Sequence, residues 1–263
     1  MFSFLNRIPD VTKNLLLINI VLYLASHMLS STGAVNLFDL FSSRYVGTPF
    51  FEPFQIVTHM FMHSARDIFH LVFNMLILVM FGAHLERHWG AKKFFIFYML
   101  CGLGAFAIEN IYYGIEIYKL KDQIIASGYD LSEINYLIPQ YLNNINMEGQ
   151  LNMDYFMKTH LDDPDVHKYF RYSINSGLGA SGALFGVLGA FALLFPNTEL
   201  MLLFIPVPVK AKYLIGAYIL FEVYRTFNPT EYDNVNHLAH ISGAAIGLAY
   251  VLINRKLDRS NFY

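Results

Sequence analysis

One serine of this sequence lies among small residues, where its hydroxyl could act as a nucleophile. Ser181 lies in the run Gly179-Ala180-Ser181-Gly182, at the predicted start of an apolar helix. Small neighbours leave the hydroxyl open to approach, and the unpaired backbone N–H groups of a helix start can stabilise an oxyanion. The same serine also suits a helix N-cap or a hydrogen bond between helices. The short motif alone does not decide between a nucleophile and these structural roles.

A histidine above a row of small residues supplies the base that a nucleophilic serine needs. His240, Gly243 and Gly247 share one face of a predicted helix. A second row of small residues follows Ser181 and consists of Gly182, Gly186, Gly189 and Ala190. Such rows are common in simple helix packing, because they let two backbones approach closely. If these two helices pack together, His240 approaches Ser181 as a general base, although it could also bond to a backbone carbonyl.

Two further polar side chains lie four residues apart in an otherwise apolar stretch. His70 and Asn74 in the run HLVFN stack on one helix face, which must point into the interior of a helix bundle. An imidazole N–H and an amide are suitable donors to a developing oxyanion. Hydrogen bonds between helices explain either residue equally well.

The composition favours a membrane protein over a soluble one. Of 263 residues, 55% are hydrophobic and only 14% are charged, against about 25% charged in an ordinary soluble domain. A soluble enzyme is therefore disfavoured. The net charge of -2 and the lack of a basic stripe disfavour nucleic acid as a partner. The single cysteine, Cys101, excludes an intrachain disulfide and a multi-cysteine metal site.

Apolar stretches long enough for a bilayer predict six membrane helices. They cover residues 14–38, 68–85, 94–108, 172–198, 212–227 and 234–254, and the fifth is the weakest because it contains Glu222. We expect Glu222 and Glu109 to lie near helix ends and to reach the lipid headgroups.

The lysines and arginines of the short loops predict the orientation. One side collects most of them, namely Arg7, Lys13, Arg87, Lys92, Lys93, Lys210, Lys212, Arg255, Lys256 and Arg259. The other side has Arg44, Arg66 and Arg225. Both termini are therefore expected to be cytoplasmic. The polar segment 115–171 between the third and fourth helices becomes an extracytoplasmic insertion of short amphipathic helices, with Asp130 as a cap and Pro139 as a kink or end.

Taken together, HLVFN, GASG and AHISGAAIG resemble the rhomboid family of intramembrane serine proteases. Their order, their spacing and the six-helix topology match that family from His59 and His63 to the end of the last helix. The resemblance implies a Ser-His dyad without a third carboxylate, with Ser181 as nucleophile and His240 as base. It also implies an oxyanion hole from His70, Asn74 and the Ser181 N–H.

Three other positions are interpreted through the resemblance. Phe54-Gln55 stands where many relatives have a Trp-Arg pair in the first loop. Phe185 stands where many have a tyrosine that stacks on the catalytic imidazole, and it can stack equally well. Glu86 resembles a position that ties down the loop between the first two helices.

Two other classes of function compete with a serine protease. A zinc site is conceivable because His59 and His63 are four apart and His237 and His240 three apart, but no HExxH motif occurs. His59, His63 and His237 are more simply interpreted as membrane-surface residues satisfied by loop hydrogen bonds. A non-proteolytic rhomboid-like protein that binds membrane helices is the other alternative, although loss of Ser181 or His240 would have marked it.

The sequence thus predicts an all-α integral membrane protein, a six-transmembrane-helix rhomboid-like bundle with an extracytoplasmic helical insertion between helices 3 and 4. Residues 1–263 are expected to form a single membrane domain that contains the insertion 115–171. The expected partners are transmembrane-protein substrates and the lipid bilayer, without a cofactor or a metal. The expected location is a bacterial cytoplasmic (inner) membrane.

Overall fold

The computed structural model describes residues 5–33, 35–148, 163–202, 205–230 and 235–257, and these are mostly helical. In chain order the helices are α1 Asp10–Ser31, α2 Leu37–Phe41, α3 Gln55–Thr58 (followed by a 3-10 turn His59–Phe61), α4 Ile68–Trp89, α5 Ala91–Ala126, α6 Leu131–Glu148, α7 Pro164–Ile174, α8 Ser181–Leu194, α9 Ala211–Phe227 and α10 His237–Leu257. Two strands between α8 and α9, β1 Glu199–Leu202 and β2 Ile205–Lys210, pair antiparallel with Glu199 opposite Lys210.

Four helices in the described ranges are long and apolar enough to cross a membrane, namely α1, α4, α5 and α10. They overlap the predicted first, second, third and sixth membrane helices, but α1 ends at Ser31 instead of residue 38, and α5 continues to Ala126, past the predicted end at residue 108 and into the predicted insertion. Helices α8 and α9 correspond to the fourth and fifth, but they have only 14 and 17 residues. The apolar helices make this chain an integral membrane protein.

The predicted fourth membrane helix, 172–198, is not continuous. Helix α7 ends at Ile174 and α8 begins at Ser181. Gly179, in the connecting loop, has a φ of 127°, a conformation that residues with a Cβ rarely adopt. The prediction was wrong because it treated an absence of charge as helix continuity.

The chain divides into two compact units, each with its own apolar core. The first comprises Met1–Ser42, Phe54–Glu109 and Gly177–Tyr263, and its described core includes Leu78, Phe97 and Leu184. The second comprises Ser43–Pro53 and Asn110–Ser176. Its core includes Ile124, Ile134 and Phe170.

The predicted insertion 115–171 falls in the second unit, and its residues 149–162 lie outside the described residues. Asp130 accepts the backbone N–H of Ser132 at 2.8 Å, as a cap should. Helix α6 continues past Pro139 to Glu148 instead of ending there. Ile134 and Ile138, which precede the proline on α6, are buried in the core of the unit and contribute packing that offsets the missing backbone hydrogen bond.

Helices α8 and α10 pack through their glycines, as the two rows of small residues predicted. A methyl group added to Gly243 would lie 1.8 Å from the Gly182 carbonyl oxygen, and one on Gly247 would lie 2.3 Å from that of Gly186. Both distances are far inside van der Waals contact, so only glycine fits. The two backbones therefore touch along the faces that carry Ser181 and His240.

Glu86 near the end of α4 fixes the start of the first membrane helix. Its carboxylate accepts the backbone N–H groups of Val11 and Thr12 at 2.9 and 2.7 Å and the Thr12 hydroxyl at 2.8 Å. These N–H groups have no partner within the helix, and a negative charge at a helix N-terminus is favourable. The expectation that Glu86 ties down the loop between the first two helices was therefore wrong, because its carboxylate is bonded to the N-terminus of α1.

Candidate active site

Ser181 is the first residue of α8, and a short loop delivers it there. The loop is fixed by the Gly179 N–H, which donates to the His59 carbonyl at 2.9 Å. Ala180 is the N-cap residue and its side chain makes no capping bond. The Ser181 N–H thus belongs to the first turn, whose N–H groups have no intrahelical acceptor. The half-buried hydroxyl and these N–H groups lie at the same end of the helix.

His70, in the first turn of α4, lies beside Ser181 across Gly179. A methyl group built on Gly179 would be 3.0 Å from His70 Nε2 and 3.5 Å from Ser181 Oγ. The Ser64 N–H points at His70 Nδ1 at a long 3.4 Å. Since Nδ1 acts there as the acceptor, Nε2 of the neutral ring carries the hydrogen. His70 therefore presents an N–H donor next to the Ser181 hydroxyl.

Asn74 lies one helical turn after His70. It is buried, and its Nδ2 has no hydrogen-bond partner within the described part of the chain. Unsatisfied buried donors are rare and often mark a functional position. Such an amide is available to an acceptor that a bound substrate would bring.

His240 contacts α8 through Phe185. The two rings are stacked with centroids 4.1 Å apart and planes 13° apart. Phe185 follows Ser181 by four residues, so both project from the same side of α8. The stacking expected for Phe185 is present, and it places the imidazole one helical turn from Ser181.

The carboxylate of Glu222 on α9 forms a hydrogen bond with Nδ1 of His240. This contact was not predicted from the sequence. Glu222 Oε2 lies 2.9 Å from His240 Nδ1 and 2.5 Å from His237 Nδ1. Glu222 is 2% exposed and Glu109 is 6% exposed. Both were expected at the headgroups, and both are instead buried, with Glu109 accepting from Asn236 Nδ2 at 2.6 Å. The sequence did contain a signal for this pairing. Glu222 is an acidic residue inside an apolar helix, and His237 is a nearby histidine with no role in the predicted dyad.

The three histidines expected at the membrane surface, His59, His63 and His237, are buried within the protein. His59 Nδ1 bonds to the Gln55 carbonyl at 2.7 Å, and His237 pairs with Glu222. Both ring nitrogens of His63 lack a partner among the described residues, and its ring lies 5.1 Å from that of His70. Burial lowers the pKa of His59 to about 4. Burial, with a smaller contribution from His70, lowers the pKa of His63 to about 3.

The first loop is anchored without a Trp-Arg pair. Gln55 is buried and donates from Nε2 to the Leu40 carbonyl at 3.1 Å. Thr58 donates to the Phe41 carbonyl at 2.9 Å, and Phe54 meets Phe41 edge to face. With Phe54-Gln55 in place of a Trp-Arg pair, the first loop is therefore still held to α2 by hydrogen bonds and by the aromatic contact.

Glu222, His237 and His240 are also a group that could hold a metal ion, because their ligand atoms lie within 4.8 Å of one another. The 2.9 Å contact of His240 is ordinary for a charge-assisted N–H···O hydrogen bond, and the 2.5 Å contact of His237 is short for one. Among the described residues, the other histidine pair, His59 and His63, forms no such group.

Two comparisons with known proteins agree with this architecture. The family model described as "Rhomboid domain" matches residues 51–115 and 160–257. The chain therefore belongs to the rhomboid family. It is also 36% identical over 81 residues to Rhomboid protein 1, mitochondrial, from Saccharomyces cerevisiae. That match covers 29% of this chain and 22% of the yeast protein.

Proposed function

We propose that this rhomboid-family chain is an intramembrane serine endopeptidase that cleaves transmembrane segments of other membrane proteins. Ser181 is the nucleophile, His240 the general base, and His70, Asn74 and the Ser181 N–H form the oxyanion hole. The observation that carries the proposal is the stacking of His240 on Phe185, four residues after Ser181. This stacking holds a histidine, the side-chain type best suited to general-base catalysis at neutral pH, within one helical turn of the Ser181 hydroxyl.

The reaction proceeds by acyl transfer. His240 Nε2 takes the proton of Ser181 Oγ as Oγ forms a bond to the scissile carbonyl carbon, and the carbonyl electron pair moves to oxygen. That oxyanion accepts from His70, Asn74 and the Ser181 N–H. The C–N bond then breaks, and His240 returns the proton to the leaving amine. Water then forms a bond to the acyl carbon as His240 takes its proton, and the bond to Ser181 Oγ breaks as His240 returns that proton to Oγ.

The six helices α1, α4, α5, α8, α9 and α10 form the proposed membrane bundle. Helix α8 has 14 residues, which at 1.5 Å per residue span about 21 Å of a hydrocarbon core about 30 Å thick. With its C-terminal end near the cytoplasmic face, Ser181 lies below the opposite face. The non-helical loop before it must then be covered by protein or line a water-filled cavity, which supplies the hydrolytic water.

A substrate helix must unwind locally, because its backbone carbonyls are otherwise bonded within the helix. Small or helix-weakening residues near the cut site are therefore expected. The proposed location is a bacterial cytoplasmic (inner) membrane with both termini cytoplasmic, from the Lys and Arg bias of the short loops. The yeast relative is, by its name, mitochondrial.

Labelling of Ser181 by a serine-directed fluorophosphonate in detergent tests the proposal, together with cleavage of a single-span substrate. Ser181→Ala should abolish both, and His240→Ala should abolish cleavage, while membrane insertion stays intact. Ser26→Ala is a matched control, since this buried serine of α1 donates to the Leu22 carbonyl at 2.7 Å within its own helix. It should label and cleave like the parent.

Three outcomes would overturn the proposal. Cleavage by purified Ser181→Ala would exclude a serine mechanism. Loss of activity on chelation that zinc restores would favour a metal hydrolase built on Glu222, His237 and His240. A parent protein that binds membrane helices without labelling or cleavage would be a non-proteolytic member of the family.

A further inference from the structure

The proposed general base is bonded to a buried carboxylate that the reaction above does not use. Glu222 Oε2 contacts Nδ1 of His240 at 2.9 Å, on the side of the ring away from Nε2. Helix α9 thereby brings a negative charge to the base from a different element than the one that carries the nucleophile.

We infer that Glu222 is a positioning residue that orients His240 and stabilises its charged form, which makes a Ser-His-Glu arrangement; the inference rests on the proposed function. An ionised carboxylate can only accept, so Nδ1 of His240 must carry the hydrogen. The lone pair of the neutral ring is then on Nε2. Only this tautomer can take the Ser181 proton.

The ring is held both on its edge and on its face. Glu222 fixes Nδ1, while Phe185 stacks on the ring plane at 4.1 Å. Rotation about the Cβ–Cγ bond by half a turn would move Nδ1 away from the carboxylate and would break this hydrogen bond. Phe185 alone allows such a flip, since stacking does not distinguish the two faces of an imidazole. Glu222 is thus the contact that selects one orientation.

The carboxylate also offsets charge during the reaction. When Nε2 accepts the Ser181 proton, the buried side chain of His240 becomes an imidazolium. The hydrogen on Nδ1 stays on the ring, bonded to Glu222, and the negative charge 2.9 Å away stabilises the cation. His237 donates a second hydrogen bond to the same oxygen at 2.5 Å. This second bond keeps the carboxylate in place while the charge on His240 changes.

Glu222 could instead serve only to link α9 to α10, and this structural role predicts a different result from a positioning role. Glutamine has nearly the same shape as glutamate and can still bond across the two helices. If the link were structural, Glu222→Gln would lower only the folded fraction. If Glu222 positions the base, the rate per folded molecule falls, because the amide has no charge and also offers a donor that selects the wrong tautomer.

The test compares kcat and KM, per folded enzyme, for Glu222→Gln, Glu222→Asp and the control Glu109→Gln. Glu109 is another buried glutamate, bonded to Asn236 just before α10. For Glu222→Gln we expect kcat about 100- to 10,000-fold lower with KM nearly unchanged. Glu222→Asp keeps the charge on a shorter side chain and should recover part of the rate. Glu109→Gln should lower thermal stability without changing kcat.

A double substitution provides a readout that stability does not affect. In a His240→Ala background, Glu222→Gln should leave the residual labelling rate unchanged, since a residue that acts through the base has nothing to act on. A kcat for Glu222→Gln within about threefold of the parent, with Ser181→Ala inactive, would overturn this inference and leave the proposed function standing. If Glu222→Gln does not fold, Glu222→Met, which also removes the carboxylate, has the same meaning when its kcat per folded enzyme lies within about threefold of the parent. A parent that neither labels nor cleaves overturns both.

Discussion

At the scale of single residues, Asn74 differs from its neighbours because its buried amide nitrogen has no partner among the described residues. In the proposed mechanism, replacement by alanine removes a donor that only the transition state uses. We therefore expect Asn74→Ala to lower kcat about 100-fold with KM little changed. Thermal stability should be nearly retained, since the loss of an unsatisfied buried group offsets the loss of packing.

Asn19→Ala is the control with the opposite pattern. Asn19 on α1 is also buried, but its amide donates to the Leu15 carbonyl at 2.7 Å. This change should reduce stability and leave kcat intact. A parent-like kcat for Asn74→Ala would remove Asn74 from the oxyanion hole.

The buried histidines His59 and His63 predict a loss of stability in acid. Their pKa values in the folded protein are about 4 and about 3, below the value of about 6.5 in an unfolded chain. The unfolded state therefore binds protons first, and stability that is complete above pH 6.5 falls as the pH drops towards the folded values. Each histidine should contribute about 2 kcal/mol of lost stability between pH 7 and pH 5.

Unfolding midpoints in detergent, measured from pH 7 to pH 5, check this prediction. His63→Leu removes one titrating group of similar size, and its midpoints should fall less steeply than those of the parent. Parallel curves for the two proteins would mean that His63 is protonated, or exposed, in the folded state.

The candidate catalytic residues could be proposed from the sequence because each lies in a local pattern. His70 and Asn74 are one turn apart, and Ser181 lies between small residues. Glu222 could not be placed, because the sequence shows that a charge is present but not which helix it faces. Its partners on α10 are 15 and 18 residues away, and only the packing of α9 on α10 brings them together.

At the scale of secondary-structure elements, the contact between α8 and α10 is so close that a glycine without a side chain is needed at the crossing. A methyl group on Gly243 would overlap the Gly182 carbonyl oxygen at 1.8 Å. Gly243→Ala, and more so Gly243→Leu, should push the helices apart by on the order of 1 Å, which can cost about 100-fold in rate. Cleavage per folded enzyme and the thermal midpoint should both fall.

Gly216→Ala on α9 is the matched control, because no atom lies within 4 Å of its added methyl group. It should be tolerated, and alanine should favour the helix slightly. A control on α10 itself is harder to choose, because Leu248, for example, packs against Gly189 of α8 at the same helix contact. Normal cleavage by Gly243→Leu would mean that His240 does not reach Ser181 through this contact.

At the scale of the whole molecule, the prediction concerns the side of the membrane on which segment 115–171 lies. The Lys and Arg bias predicts that segment 115–171 is extracytoplasmic. With the buried Cys101 replaced by alanine, a cysteine at exposed Ser127 should react with an impermeant thiol reagent outside intact cells. A cysteine at exposed Lys92 should react only after lysis, and the reverse pattern would invert the topology.

Composition and apolar stretches were sufficient to predict a helical membrane protein and its long helices. They could not predict where α7 ends and α8 begins, because the connecting residues 175–180 carry no charge and so do not interrupt the uncharged stretch around them. The break is decided by the backbone of Gly179 and its bond to the His59 carbonyl. The pairing of β1 with β2 was missed for a similar reason, since short strands carry little periodic signal.

The bond between Glu86 and the start of α1 sets an order of events during biosynthesis. Glu86 follows Val11 by 75 residues, so at about 5–20 residues per second the ribosome completes it about 4–15 s later. Over that interval the first helix enters the bilayer with two backbone N–H groups that lack their final acceptor. Water or lipid headgroups must serve until α4 arrives. The first helix is therefore locked in register only after the second has been inserted.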